Sequence, residues 1–463
     1  MGEPVSEFAN GSLPAPVRLA RRMARDVVER GVPAGTGLGA LPEVAQRYGI
    51  SVPTLRKAIT YLLDDGIVTM REGRGGGLFV AAPPIESAMR AMHVYLSDRN
   101  LSPEQVAEAR ALVDGAVIER ATRFVGNADH ERLRPLLSSG EEDVAPIAGA
   151  EAIEDAILAT ARQPILALFS RLMRQLDHDG SDVSPPDPQI EHHLRRDSAC
   201  AILAGDLGTA LVLWRQRRSL AVAEDPVHDR TARLADRIAV EIQQLIRMRD
   251  LQPGDELGRE ADLQERFAVS RPTLRDAIRI LERSGSVKIS PGRSGGIFVG
   301  AAEPYAAIEM TSLYLSTTRL VFAEQIEARR VVEARAAQLA AERITPLLAA
   351  ELETAIAADV AAARIPASDW PARGARVERL VARACGNPLI EFFTLVLIEL
   401  SMNQSEGRAP PSISSADLAR LVSMSHAEIV ADILARRPVD AAFRTRQYLT
   451  HLARWMENQQ PIA

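Results

Sequence analysis

The sequence predicts a mainly α-helical protein built from two like halves, each a small helix-and-ribbon module followed by an all-helical bundle. Two observations carry that reading. The first is an internal repeat in the 463-residue chain at a constant offset of 219 positions. Gly35 matches Gly254, Leu38 matches Leu257, and Ser51-x-Pro-Thr-Leu-Arg56 matches Ser270-x-Pro-Thr-Leu-Arg275. Gly73-Arg74-x-Gly-Gly-x-Phe-Val80 matches Gly292-Arg293-x-Gly-Gly-x-Phe-Val299, and Tyr95-Leu96-Ser97 matches Tyr314-Leu315-Ser316. After small compensating gaps, Glu108-Ala-Arg110 matches Glu327-Ala-Arg329. This period is far longer than that of solenoid repeats, so each copy is a complete two-domain unit and the chain reads as a tandem duplication. The second observation is helical apolar periodicity over most of the remaining length.

The stretch from Ser270 to Val299 defines the small module. Ser270 is an N-cap candidate and Pro272 sits in the first turn, both helix-start signals. Leu274, Ala277, Ile278 and Leu281 form an i, i+3, i+4, i+7 stripe, and Ser284-Gly285 ends it. Val287 and Ile289, a Pro-Gly turn, then Ile297, Phe298 and Val299 read as a two-stranded ribbon. Helix, strand, Gly/Arg-rich tip and strand together spell a winged helix-turn-helix. The stretch carries six basic residues (Arg271, Arg275, Arg279, Arg283, Lys288, Arg293) against Asp276 and Glu282. Arg271 and Arg275 lie one turn apart near the helix end that enters a major groove in such motifs, where Arg suits bidentate contact with guanine. Ser270 caps that helix, Thr273 reaches phosphate or base, Gly292 permits a tight wing tip, and Arg293 projects from it.

The segment upstream makes the pattern specific. Leu251-Gln252-Pro253-Gly254-Asp255-Glu256-Leu257, then Asp262-Leu263-Gln264-Glu265-Arg266-Phe267-Ala268-Val269-Ser270-Arg271-Pro272-Thr273-Leu274-Arg275, resembles the DNA-binding domain of the GntR family of bacterial transcription regulators. The helical region that follows resembles the effector domain of that family's FadR branch, of the FCD type. The resemblance implies a ligand-responsive repressor, binding as a two-fold dimer to palindromic operators. Family members often place an Arg two turns before the recognition helix; the matching positions here are Pro42 and Ala261, so that contact is not carried over.

In chain order, residues 1–14 read as a disordered leader and 15–82 as the first winged helix-turn-helix domain, with helices at 16–30, 41–48 and 52–64. Residues 84–224 read as an all-α effector-binding bundle, broken at 98–103, 126–129, 140–147 and 179–188. Glu224-Asp225-Pro226 reads as a linker. Residues 230–301 form the second winged helix, whose first helix carries Leu234, Ile238, Ile242 and Leu245 on one face. Residues 304–458 form the second bundle, interrupted at 408–415.

The copies are not equivalent. The first keeps Ser51, Thr54 and Arg56, with Lys57 and the wing residue Arg74 as further DNA contacts, but has Val52 where the second has Arg271. Between 51 and 80 its four basic residues face three acidic ones, Asp64, Asp65 and Glu72. The second module is therefore expected to supply more of both phosphate attraction and base discrimination. Two unlike readers on one chain predict an asymmetric or pseudo-palindromic operator. An intrachain pseudo-dimer and a homodimer of the chain are equally allowed. So is a first module that no longer binds DNA.

Many bundles of the resembled type hold a metal through one Asp and three His. The corresponding positions are Gly374, Glu378, His426 and Tyr448 in the second bundle, and Ala150, Glu154, Arg195 and Arg217 in the first. Neither set suffices for a closed metal site, so no metal or other cofactor is expected. The FadR branch also includes acyl-CoA sensors that use no metal. Arg195 and Arg217 either pair with Glu154 or hold a carboxylate or phosphate; Glu378, His426 and Tyr448 line the corresponding cavity, with Arg329. The expected effector is an unidentified small molecule of the organic-acid or acyl-CoA class.

The formal charge of −6 means that DNA must be met by a local basic patch. Two distant cysteines, Cys200 and Cys385, form no disulfide framework and suit a reducing cytoplasm. No apolar run reaches membrane-spanning length and no signal pattern opens the chain. Lys57 and Lys288 are the only lysines and both lie in the small modules, which excludes a pyridoxal-phosphate aminotransferase domain. No nucleophile elbow, P-loop or metal-hydrolase pattern occurs, so a non-enzyme is expected. The alternative is a regulator-derived ligand-binding or structural protein whose winged helices no longer read DNA.

Overall fold

The computed structural model describes residues 14–30, 32–73, 76–97, 99, 101–138, 146–180, 188–219, 234–290, 295–301, 304–318, 320–362, 370–408 and 415–457. The expected leader, apart from Pro14, and the expected linker at Glu224–Pro226 lie outside them. The chain divides into two compact units: Met1–Leu101 with Thr231–Leu320 and Ala336–Ala463, and Ser102–Arg230 with Val321–Arg335. These units cut across the division expected from the sequence, because both small modules fall in the first unit.

In that unit the chain opens with α1 (Ala15–Glu29), β1 (Gly37–Gly39), α2 (Leu41–Tyr48), α3 (Val52–Asp64), β2 (Val68–Arg71), β3 (Gly77–Val80) and α4 (Ile85–Ser97). The same order returns as α11 (Leu234–Met248), β4 (Glu256–Gly258), α12 (Glu260–Phe267), α13 (Arg271–Ser284), β5 (Val287–Ser290), β6 (Gly296–Val299) and α14 (Tyr305–Thr317). The ribbon expected from the sequence is in each case a three-stranded antiparallel sheet, with strand orders β1-β3-β2 and β4-β6-β5. Each extra strand is three residues long and broken by a register shift between Gly37 and Gly39 or between Glu256 and Gly258, so no alternating pattern announced it. The wing registers correspond position for position: Val68 faces Val80 as Val287 faces Val299, and Met70 faces Leu78 as Ile289 faces Ile297.

Local chemistry sets the α3 and α13 helices in the same way. Ser51 Oγ accepts from the Thr54 N–H at 3.3 Å, and Ser270 Oγ from the Thr273 N–H at 3.3 Å, each with a Pro in the first turn. Their apolar stripes, Leu55, Ala58, Ile59 and Leu62 or Leu274, Ala277, Ile278 and Leu281, are buried in the two module cores. In α11, Ile238, Ile242 and Leu245 are buried as expected, but Leu234, at the helix's first residue, is 49 % exposed. It lies before the turn that packs.

The cores interlock. Val94 of α4 packs into the second module's core, and Met310 and Leu313 of α14 pack into that of the first. Gln243 Nε2 donates to the Val94 carbonyl at 2.8 Å. The two modules end their second helix on different residues. The α2 helix ends on Gly49 in the left-handed region (φ 66°), whereas α12 ends on Ala268 at φ 50°. A Cβ costs about 1–2 kcal/mol there, so Ala268→Gly is expected to stabilise the chain by roughly 0.5–1 kcal/mol after the glycine's unfolded-state entropy is counted. A higher urea midpoint would register it.

The second unit contains α5 (Pro103–Phe124), α6 (Asn127–Ser138), α7 (Pro146–Ala161), α8 (Pro164–Gly180), α9 (Pro188–Leu203) and α10 (Leu207–Ser219). A break at 162–163 between α7 and α8, with Arg162 at φ 48°, was not anticipated from the periodicity. The unit also includes Val321–Arg335, which spans the start of α15 (Phe322–Arg343) and is tied in by Gln163 Nε2 donating to the Glu324 carbonyl at 2.6 Å and by an Arg335–Glu108 ion pair at 3.0 Å. The remaining helices, α16 (Pro346–Ala362), α17 (Trp370–Ala384), α18 (Pro388–Arg408), α19 (Ser415–Leu434) and α20 (Pro438–Glu457), belong to the first unit around a core that includes Phe392, Phe393 and Leu397. No helix among the described residues is long and apolar enough to cross a membrane.

Candidate nucleic-acid interface and effector cluster

The amino-terminal turns of α3 and α13 face solvent. Ser51, Arg56 and Lys57 are exposed and Thr54 half-buried; Ser270, Arg271 and Arg275 are exposed and Thr273 half-buried. In both turns the capping Ser and the Thr share a hydroxyl contact of 2.8 Å, Ser51 with Thr54 and Ser270 with Thr273. Gly292, Arg293 and Arg74, expected in the wing tips, lie outside the described residues. Arg71, on the first wing, stacks 4.2 Å above the Phe79 ring.

The unexpected member is Glu260, the first residue of α12. Its Oε1 accepts from Arg271 Nε at 2.9 Å and from Arg275 Nε at 2.7 Å. Burial raises the Glu260 carboxyl, but the hydrogen bonds from Arg275 and Arg271 outweigh it, and the group lies below the usual carboxylate range. It is therefore ionised at neutral pH and draws the two guanidiniums together. In the first module the matching position is Leu41, so Arg56 and Lys57 have no such carboxylate. The spacing of eleven and fifteen residues back from the two arginines falls across a turn, which hid it from periodicity. Arg279 is held by Asp276 and lies 3.9 Å from Asp64, so it sits at the module junction and not in the exposed turn. Glu260→Gln is expected to tighten non-specific duplex binding about 3- to 10-fold at low salt by removing one negative charge beside two arginines. Titration of a random-sequence duplex would check it.

In the second bundle three of the predicted effector residues meet. Tyr448 OH donates to Glu378 Oε1 at 3.4 Å, His426 Nε2 lies 3.4 Å from the same oxygen, and the His426 and Tyr448 rings meet edge-on at 5.1 Å. A Cβ on Gly374 would meet Val422 Cγ1 at 3.2 Å and lie in ordinary contact with His426 Cε1 at 3.5 Å, so the glycine sits beside the imidazole. Glu378 and His426 are two donors of the metal-binding type; among the described residues no group of three His, Cys, Asp or Glu is placed to hold an ion. Arg329 falls in the other compact unit, where Glu333 binds its guanidinium through both oxygens at 2.5 and 3.2 Å. The i, i+4 carboxylate, overlooked in the sequence, explains why Arg329 is buried. In the first bundle, Arg195 donates through Nε and Nη2 to Glu154 Oε2 at 3.2 and 3.0 Å, both side chains being buried. The Arg217 and Ala150 side chains lie outside those described.

A helix-turn-helix with a three-stranded wing, followed by a helical bundle, is the organisation of a one-component regulator. Residues 234–299 match the family "Bacterial regulatory proteins, gntR family", and residues 324–451 match the FCD domain. The chain thus carries a GntR helix-turn-helix domain followed by an FCD domain. It is 26 % identical over 233 residues to the HTH-type transcriptional repressor NanR of Cronobacter sakazakii, covering 48 % of this chain and 83 % of that protein. The NanR repressor of Citrobacter rodentium is likewise 26 % identical over 233 residues, with the same coverage. A GntR protein of Streptococcus agalactiae, of known structure, is 21 % identical with a TM-score of 0.37, covering 48 % of this chain and 99 % of its own.

Proposed function

We propose that the chain is a sequence-specific DNA-binding transcription regulator, a tandem duplication whose two unlike winged helices form one reading head. The observation that carries this is the pair of exposed, identically capped helix starts at Ser51 and Ser270, held in one compact unit with basic side chains on their first turns. The shared element order and wing registers support the duplication, the repressor relatives support a repressor, and the FCD match supports an effector-sensing domain. The second module, with Arg271, Thr273 and Arg275, reads bases; the first, with Thr54, Arg56 and Lys57, contributes chiefly phosphate contacts. The operator is correspondingly asymmetric. The helical domains take a small organic acid or acyl-CoA, with Glu378, His426 and Tyr448 as the effector-facing cluster of the second.

The test is selection of bound sequences from a random duplex pool, followed by chain stoichiometry and salt dependence on the winner. A half-palindrome with one strong and one weak arm, bound by a single chain with a salt slope of several charges, is the expected result. Absence of binding at low salt would favour a ligand-binding protein that has lost DNA recognition.

A further inference from the structure

We propose that the carboxy-terminal ends of α3 and α13 form a pairing surface specific for the unlike module, so that a first winged helix accepts a second and rejects its own kind. This rests on the duplicated-reader assignment above and adds the rule by which the readers pair.

The contact is made by Tyr61, Asp64 and Asp65 on one side and Arg279, Glu282 and Arg283 on the other. Tyr61 OH donates to Glu282 Oε2 at 2.7 Å, and Arg283 Nη1 donates to the Tyr61 carbonyl at 3.2 Å. Arg283 forms an ion pair with Asp65, both largely buried, and Arg279 lies 3.9 Å from Asp64. Arg21 Nη2 donates to the Arg283 carbonyl at 2.8 Å. Burial, and then the Glu282 hydrogen bond, push the Tyr61 phenol up; burial also pulls the Arg283 guanidinium down to about 10 against the attraction of Glu309. These are the marks of a desolvated junction.

The 219-residue correspondence shows what a like pair would bring together. Asp64 corresponds to Arg283, Asp65 to Ser284, Tyr61 to Ile280, Leu63 to Glu282 and Thr60 to Arg279. Two second modules in this arrangement would set Arg279 against Arg283 at each symmetric contact and Glu282 against Ile280. Two first modules would set Asp64 against Asp65, twice. Only the unlike pair satisfies both sides. The inversion extends one layer out. Arg90 of α4 donates to the Asp64 carbonyl at 3.2 Å, and its counterpart on α14 is Glu309, which Arg21, Arg25 and Arg283 surround. Charge is thus exchanged at two successive layers of one junction, which a tolerated surface substitution does not explain. An assembly of several chains would multiply these heads without creating a symmetric one.

The experiment uses three full-length chains: wild type, a graft that gives the first module the second's face (T60R/Y61I/L63E/D64R/D65S), and the exchange that adds R279T/I280Y/E282L/R283D/S284D. Arg90 and Glu309 are kept, because Asp236 beside the one and Arg21 and Arg25 beside the other are not exchanged. Thermal unfolding is followed without DNA. The graft, which builds a like pair, is expected to lower Tm by roughly 5 °C or more; the exchange, which inverts the charges of the first layer, is expected to recover more than about half of that loss. A graft without effect, or an exchange as low as the graft or lower, overturns the pairing rule. Operator binding by the wild-type chain is measured separately. Failure there, with the Tm pattern intact, removes the reader assignment and leaves the pairing.

Discussion

Arg271→Ala is expected to flatten the protein's base preference by about 1–3 kcal/mol at one operator position, a factor of roughly 5 to 150 in discrimination. Arg56→Ala is expected to leave the preference nearly unchanged while weakening all sequences alike. Arg271 stands on the exposed first turn of α13, its side chain 62 % accessible, and Glu260 pre-orients it beside Arg275. A guanidinium so held matches the paired acceptors on a guanine edge, and Lys cannot replace it there because a point charge has no fork. The first module has Val52 at the position of Arg271 and Leu41 at that of Glu260, so Arg56 has neither a guanidinium one turn before it nor a carboxylate at the position that aims Arg275. The measurement is competition binding with a set of singly substituted duplexes, repeated over a salt series. A phosphate contact reduces the salt slope by about one, whereas a base contact changes the ranking of the duplexes. If the two substitutions alter that ranking equally, the modules read alike and the asymmetric head is wrong.

What was legible in the sequence was local. The expected span of the first recognition helix, 52–64, coincides with α3 because Ser51, Pro53 and the stripe from Leu55 to Leu62 are neighbours in the chain. The spans of α2 and α13 follow from the same kind of signal. The third strand of each sheet was not legible, since three residues interrupted by a register shift carry no periodicity. Nor was Glu260, which reaches its arginines across a turn, or the Tyr61–Glu282 bond between residues 221 apart. Pairings of that kind have no pattern along the chain. Their one trace was the sign of charge at matched positions, acidic at Asp64 and Asp65 and basic at Arg283. In the effector region the resemblance placed Glu378, His426 and Tyr448 together, whereas the bidentate pairing of Arg329 with Glu333 on its own helix was not read from the sequence.

Glu154→Ala is expected to cost about 3–5 kcal/mol of stability, the range for removing one partner of a buried ion pair. Glu154 is 2 % and Arg195 9 % accessible at the side chain, and two guanidinium nitrogens converge on one carboxylate oxygen. Arg174 lies 3.9 Å from the other oxygen, so removing the acid withdraws a negative charge from a second guanidinium as well. Deleting the acid leaves a desolvated cation without its main counter-charge. Replacing the pair by Glu154→Leu and Arg195→Met together removes both desolvation penalties and is expected to lie within about 1 kcal/mol of the wild type. Urea unfolding of the single and double variants measures the contrast. The double variant also separates the two roles open to Arg195. If the pair is structural, the double variant keeps whatever rise in Tm the wild type shows with organic acids. If Arg195 gives up Glu154 to take an anionic effector, the double variant folds and that rise disappears.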